Sequence, residues 1–249
     1  VLEVRKFGKR YEGRPVLEGI DFDLVRGETL GLIGKSGCGK STLLRHIARL
    51  EDARTGPVSG SIRLDGVDVL RAGERALARL KFRGKKVGMV FQHSALFDFL
   101  TVEGNIVWPL REVEGLSAIA ARERARACLA LVELPAENGF LRRDVPSLSG
   151  GERKRVALAR TLALGPEIVL YDEPTTGLDP PAVTEINALM NRLKRQAGVT
   201  AILTSHDMRA TLEVADRVAL IRDGRIAWLG PAREALDVEV VRRFAAGEN

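Results

Sequence analysis

An α/β fold with a helical insertion follows from three features of this 249-residue sequence. Short apolar runs recur at 29–33, 87–91, 168–171 and 199–204. Segments of helical periodicity alternate with them, the pattern of a sheet covered by helices. From about 93 to 160 the strand signals stop and helical character takes over.

The elements follow in chain order. Residues 29–33 read Thr-Leu-Gly-Leu-Ile, a candidate buried strand between glycines. After a glycine-rich loop, Leu43, Leu44, Ile47 and Leu50 recur at helical spacing from Ser41 onward, so strand, loop and helix make one βα unit. Residues 61–64 alternate and then turn at Asp65-Gly66, as one strand of a hairpin does. From 117 to 133, Ala125, Cys128, Leu129 and Val132 share a helical face behind Ser117 as N-cap. Between the last two apolar runs, Pro181 opens a helix with Val183, Ile186, Leu189, Met190 and Leu193 inward, and Gly198 is placed to end it. Residues 217–222 and 225–229 flank Asp223-Gly224, a strong hairpin signal. The predicted organisation is a single unit over 1–249, with an α/β core from 1–92 and 161–249 and a helical subdomain at about 93–160.

Composition narrows the function class. At 45% hydrophobic and 29% charged residues the chain reads as globular. No apolar run approaches the ~18 residues of a membrane-spanning helix, and no secretion signal opens the chain. It starts at Val1, so a trimmed or processed native start is expected. Cys38 and Cys128 are too few for a disulfide framework and fit a reducing cytoplasm. A net charge of +6 raises nucleic acid or an anionic membrane as partners. The Lys and Arg are dispersed, however, and aromatics make up only 5%, so a solvated basic surface and no nucleic-acid partner are expected.

Three motifs carry chemistry. The run Gly34-Lys35-Ser36-Gly37-Cys38-Gly39-Lys40-Ser41-Thr42 fits the phosphate-loop pattern and sits between a predicted strand and a predicted helix, as that pattern requires. Its glycines let main-chain N–H groups wrap phosphates, Lys40 reaches the β- and γ-phosphates, and Ser41 holds Mg²⁺. The apolar run at 168–171 delivers Asp172 and Glu173 at its carboxyl end, where open sheets bind ligands. Asp172 is the candidate Mg²⁺ ligand, direct or through water, and Glu173 the candidate general base. Ser149-Gly150-Gly151, ahead of a helix, offers a second anion nest beside its capping role, and a second nest suggests a composite site.

The phosphate loop, Gln92, Leu148-Ser149-Gly150-Gly151-Glu152, Asp172-Glu173, Leu178-Asp179 and His206, in that order, resemble the ATP-binding-cassette family over essentially the whole chain. The resemblance implies an ABC-type P-loop NTPase core: a RecA-like mixed sheet, an N-terminal antiparallel β subdomain and an inserted helical subdomain. It implies ATP and Mg²⁺ as cofactors and ATP hydrolysis coupled to transport. Two copies would form a head-to-tail ATP-sandwich homodimer in which Ser149-Gly150-Gly151 of one closes on ATP in the other. It further implies that Tyr11 stacks on adenine, that Gln92 senses Mg²⁺ and couples to a membrane subunit, that His206 contacts the γ-phosphate, and that Asp179 links the two sites.

Within the family, 91–102, 108–112, 153–160 and the ending 240–244 resemble the Mla/Mce-associated phospholipid-transport ATPases, although Gly104 stands where that group usually has Glu. That implies an MlaE-like integral membrane permease, an Mce-domain protein in the complex and a place on the cytoplasmic face of the inner membrane. An amino-acid or other small-solute importer motor is the alternative.

Overall fold

The computed structural model describes residues 1–51 and 55–248. β1 (Leu2–Tyr11), β2 (Arg14–Leu24), β4 (Val58–Leu64) and β5 (Val67–Asp68) form an antiparallel sheet in the order β2-β1-β4-β5. β3 (Thr29–Ile33), β6 (Val87–Val90), β7 (Ile168–Asp172), β8 (Thr200–Ser205), β9 (Arg217–Arg222) and β10 (Arg225–Pro231) form a second sheet in the order β10-β9-β3-β8-β7-β6. Its strands run parallel except β10, which turns back antiparallel on β9. Every residue of β3, β7 and β8 is buried, which is why these strands read as continuous apolar runs without alternation.

Two hairpin turns behave as their sequences predict. Asp65 and Gly66 have φ of 46° and 82°, and Asp223 and Gly224 have φ of 50° and 74°. Positive φ at both central residues matches the right-handed twist of the flanking strands.

The helices are α1 (Lys40–Ile47), α2 (Glu74–Arg79), α3 (Val102–Glu114), α4 (Ala118–Leu131), α5 (Asn138–Leu141), α6 (Gly150–Ala163), α7 (Pro180–Ala197), α8 (Met208–Val214) and α9 (Glu239–Ala245). α1 stops short of Leu50, which is 48% exposed and outside the buried face. α4 begins behind Ser117, whose side chain accepts from the Ala120 N–H. α7 opens at Pro180, one residue before the expected start, and ends at Gly198 with φ 60°. Val183 is half-buried, while Ile186, Leu189, Met190 and Leu193 are fully inside.

Strand alternation sends the side chains of β7 into two different clusters of the core. Val169 and Tyr171 of β7 face a cluster built by α3, α4, α6 and α7. Ile168 and Leu170 face the other way, toward α1 and the apolar side of the antiparallel sheet at Val4, Phe7, Ile20 and Ile62. The second sheet is thus sandwiched, and only its edges and strand ends are left for a site. Among the described residues no helix is long and apolar enough to cross a membrane.

Candidate functional site

Register assembles the site. Ile33 at the end of β3 pairs with Ser205, and Asp172 at the end of β7 pairs with Thr204. The loop after β3, the acidic pair after β7 and His206 after β8 therefore emerge together at the carboxyl edge of the parallel strands, where such sheets bind ligands.

The loop from Gly34 to Gly39 is packed so closely at its two ends that Gly34 and Gly39 leave no room for a side chain. A Cβ on Gly39, which has φ 105°, would lie 2.6 Å from the Leu17 side chain; one on Gly34 would lie 2.5 Å from the Ile221 carbonyl oxygen. α1 starts directly after Gly39 with no side-chain cap, leaving its N-terminal donors to an outside acceptor. Ser36 is exposed, and Gly37 turns the loop with φ 79°. Cys38 is half-buried, and burial pushes its thiol up, with the Lys40 ammonium opposing. Lys40 is 4% exposed and folds back over the loop, donating to the Gly34 carbonyl (2.7 Å) and the Lys35 carbonyl (3.1 Å).

The acidic pair meets this loop from the next strands. Ser41 Oγ donates to Asp172 Oδ1 at 2.8 Å, and Thr204 Oγ1 donates to the same oxygen at 2.9 Å. Glu173 carries φ 47°, a left-handed conformation costing a non-glycine residue roughly 1–3 kcal/mol. Its N–H is held by the Thr204 carbonyl (3.2 Å) and Oγ1 (3.1 Å). The Glu173 carboxylate lies 4.0 Å from Lys40 Nζ and 3.5 Å from His206 Nδ1, and it accepts from Thr176 Oγ1 at 2.9 Å. Lys40, Ser41, Asp172, Glu173 and His206 are thus gathered in one cluster. Of this cluster the His206 ring is exposed and the Glu173 carboxylate mostly covered.

The remaining candidates lie around it. Tyr11 and Thr42 line a concavity of about 730 Å³ with Arg45, Glu51 and Phe91. The Tyr11 hydroxyl bonds Glu51; burial and that bond both raise its pKa. Gln92 follows β6, and its carbonyl accepts from the buried Lys154 ammonium. Ser149, Gly150, Gly151 and Asp179 line a different concavity of about 610 Å³, formed at the starts of α6 and α7, and no phosphate-loop residue lines it among the described residues. Ser149 closes a capping box with Glu152, so its hydroxyl serves the helix as well. The phosphate loop and the Ser149–Gly151 segment of one chain line different concavities.

The structure also brings in residues that sequence reasoning did not single out. Thr204 bonds both Asp172 and the Glu173 main chain. Lys154 is 7% exposed; burial pushes its ammonium down, while the negative charges of Glu173 and Asp172 oppose that shift. Thr204 carried no signal beyond its place at a strand end, and Lys154 lay in the 153–160 run, whose family resemblance gave that lysine no role of its own.

The donor set fits a magnesium nucleotide. A helix N-terminus without a cap and a buried ammonium suit phosphates, and Ser41 hydrogen-bonded to Asp172 suits Mg²⁺. Among the described residues no group of three or more His, Cys, Asp or Glu could cage a metal. That is consistent with Mg²⁺, which keeps waters and phosphate oxygens as ligands and needs few protein groups.

Fold and site define a nucleotide-binding cassette, a class of ATP-hydrolysing P-loop proteins. Residues 17–176 match the family described as ABC transporter, and the chain belongs to it. It is similar to the methionine import ATP-binding protein MetN of Mesorhizobium japonicum, at 41% identity over 223 residues, 90% of this chain and 58% of that protein. It is also similar to the sulfate/thiosulfate import ATP-binding protein CysA of Burkholderia mallei, at 38% identity over 240 residues, 95% of this chain and 64% of that protein. The chain therefore spans less than two thirds of either relative. A solved dimeric ATP-binding cassette in a post-hydrolysis state, bound to ADP and Pi, superposes with TM-score 0.81 at 30% identity, covering 94% of this chain and 99% of that one. Both named relatives are import ATPases; neither bears a phospholipid-transport name.

Proposed function

We propose that this chain is the ATP-hydrolysing motor of an ABC importer for a small solute, acting as a head-to-tail dimer on a membrane permease. The carrying observation is the cluster of Lys40, Ser41, Asp172, Glu173 and His206 at one sheet edge, with Ser149-Gly150-Gly151 on another face of the same chain. One chain supplies only half of the anion contacts; a second copy supplies the other half.

In this reading the loop from Gly34 to Thr42 cradles the phosphates, Lys40 neutralises the β- and γ-phosphates, and Tyr11 stacks on the base. Ser41, Asp172 and Gln92 would hold Mg²⁺, which would supply charge neutralisation on the transferred phosphoryl group. Glu173 polarises the attacking water and takes its proton. His206, held beside that carboxylate, steadies charge on the γ-phosphate. Ser149, Gly150 and Gly151 contact phosphate only when two copies close, so ATP binds the closed state better and shifts the population toward it. Asp179, which lines the same concavity as that segment, connects the paired sites.

The import reading draws on the names of the relatives. A second reading, a phospholipid-transport motor with an MlaE-like permease and an Mce-domain protein, is favoured by one observation. Phe97 stacks with Phe99 and Trp108, and Phe99 and Trp108 are 83% and 51% exposed, within the stretches that resemble that group. In both readings the chain sits peripherally on the cytoplasmic face of the cell membrane through its permease.

A tagged pull-down from native membranes in mild detergent, with mass spectrometry of proteins and lipids, separates them. A permease with a solute-binding protein supports import. A permease with an Mce-domain protein and enriched phospholipid supports lipid transport and overturns the import reading.

A further inference from the structure

Helix α6 grips β6 and the segment leaving it with three side chains. Thr161 Oγ1 donates to the Met89 carbonyl at 3.2 Å, and Lys154 donates to the Gln92 carbonyl. Arg160 donates to the Ser94 and Ala95 carbonyls at 3.1 and 2.8 Å. The gripped loop needs that support, because Ser94 and Ala95 both hold positive φ, 62° and 47°, without being glycine.

Lys154 stands out among the three. A lysine rarely has its ammonium taken from water unless charge or hydrogen bonding compensates. Here the main-chain carbonyl of Gln92 accepts from it, and no carboxylate forms an ion pair with it among the described residues. Apolar packing could fill this position more cheaply than a buried cation. The same helix begins with Gly150 and Gly151, so one rigid element touches the outward anion nest and the inward glutamine loop.

We propose that Lys154 is a positioning residue for the nucleotide site: its ammonium fixes the Gln92 main chain so that the Gln92 side chain meets Mg²⁺ at the phosphate loop of the same chain. This rests on the ATP reading above.

The test uses the full chain and isothermal titration of ATP with and without Mg²⁺. Lys154→Met removes the donor and Lys154→Gln keeps one. The hydrogen bond of a charged donor predicts that Lys154→Met loses about tenfold of the Mg²⁺-dependent gain in ATP affinity. Its Mg²⁺-free affinity stays within about twofold and its melting temperature is unchanged or higher, since a buried charge is gone. Lys154→Gln recovers most of the gain. Combined with Gln92→Ala, Lys154→Met adds no further loss, because the two act as one unit. An unchanged Mg²⁺-dependent gain in Lys154→Met overturns the proposal, as does additivity with Gln92→Ala. If Lys154→Met does not fold, Lys154→Ala, which also lacks the donor, takes its place in the cycle with Gln92→Ala. Absence of Mg²⁺-dependent ATP binding in the parent chain overturns the ATP reading instead.

Discussion

Replacing Glu173 by glutamine separates binding from chemistry at this site. The carboxylate accepts from Thr176 Oγ1 at 2.9 Å and lies 3.5 Å from His206 Nδ1 and 4.0 Å from Lys40 Nζ. A glutamine fills the same volume, and its amide oxygen can keep the Thr176 bond, so the left-handed turn at 173 and the fold around it are retained. What disappears is the base. Loss of a positioned general base costs about 10²–10⁴ in rate, which is roughly 2.7–5.5 kcal/mol of barrier. Nucleotide binding moves the other way or not at all. Glu173 is an anion beside the phosphate site and a competitor for Lys40, so removing its charge leaves ATP affinity equal or tighter. The assay is single-turnover phosphate release with the chain in excess over ATP, paired with equilibrium ATP binding on the same preparation. A release rate within about tenfold of the parent refutes Glu173 as the base. Loss of ATP binding refutes the separation of roles.

Two further outcomes follow from the same geometry. Thr204→Val removes the donor to Asp172 and one of two acceptors for the Glu173 N–H, so urea unfolding should show a loss of about 1–3 kcal/mol, and Thr204→Ser, which keeps the hydroxyl, should restore most of it. Glu152→Ala opens the capping box of α6 and should cost about 1 kcal/mol. Burial pushes the Glu152 carboxyl up, but the Ser149 N–H and Arg143 outweigh it, and the net shift is downward. A carboxyl lowered in the folded state contributes stability above its unfolded pKa of about 4.3 and loses it as pH falls through the folded value. The gap between parent and Glu152→Ala should therefore be constant above about pH 5 and close on further acidification.

Much of the fold was legible because local signals agreed with burial. The apolar run at 29–33, the Asp223-Gly224 turn, the Ser117 cap and the Gly198 stop each depend on neighbours in sequence, and each stands where its chemistry puts it. β1 was opaque for a physical reason. Its register on β2 shifts between Val4 and Phe7 and again at Lys9, so the alternation of faces breaks and Phe7, Gly8 and Lys9 are buried in succession. α3 was hidden by Pro109 inside the helix. At the site, the phosphate loop and the Asp-Glu pair declare themselves because their chemistry is local. Thr204 and Lys154 do not, because their roles arise from the β7–β8 register and from α6 docking under the glutamine loop, and neither is a short-range property.

The central claim is that two copies complete each other's nucleotide sites, and trans-complementation tests it directly. Lys40→Ala disables the phosphate loop, while Gly151→Asp sets a negative charge in the signature segment at a position where a Cβ meets nothing closer than Ala182 at 4.0 Å. Each variant alone is predicted to be inactive in ATP hydrolysis. In an equimolar mixture half the dimers are mixed, and each mixed dimer has one intact site, so activity should return to about a quarter of the parent level. A mixture as inactive as its components would contradict the composite site.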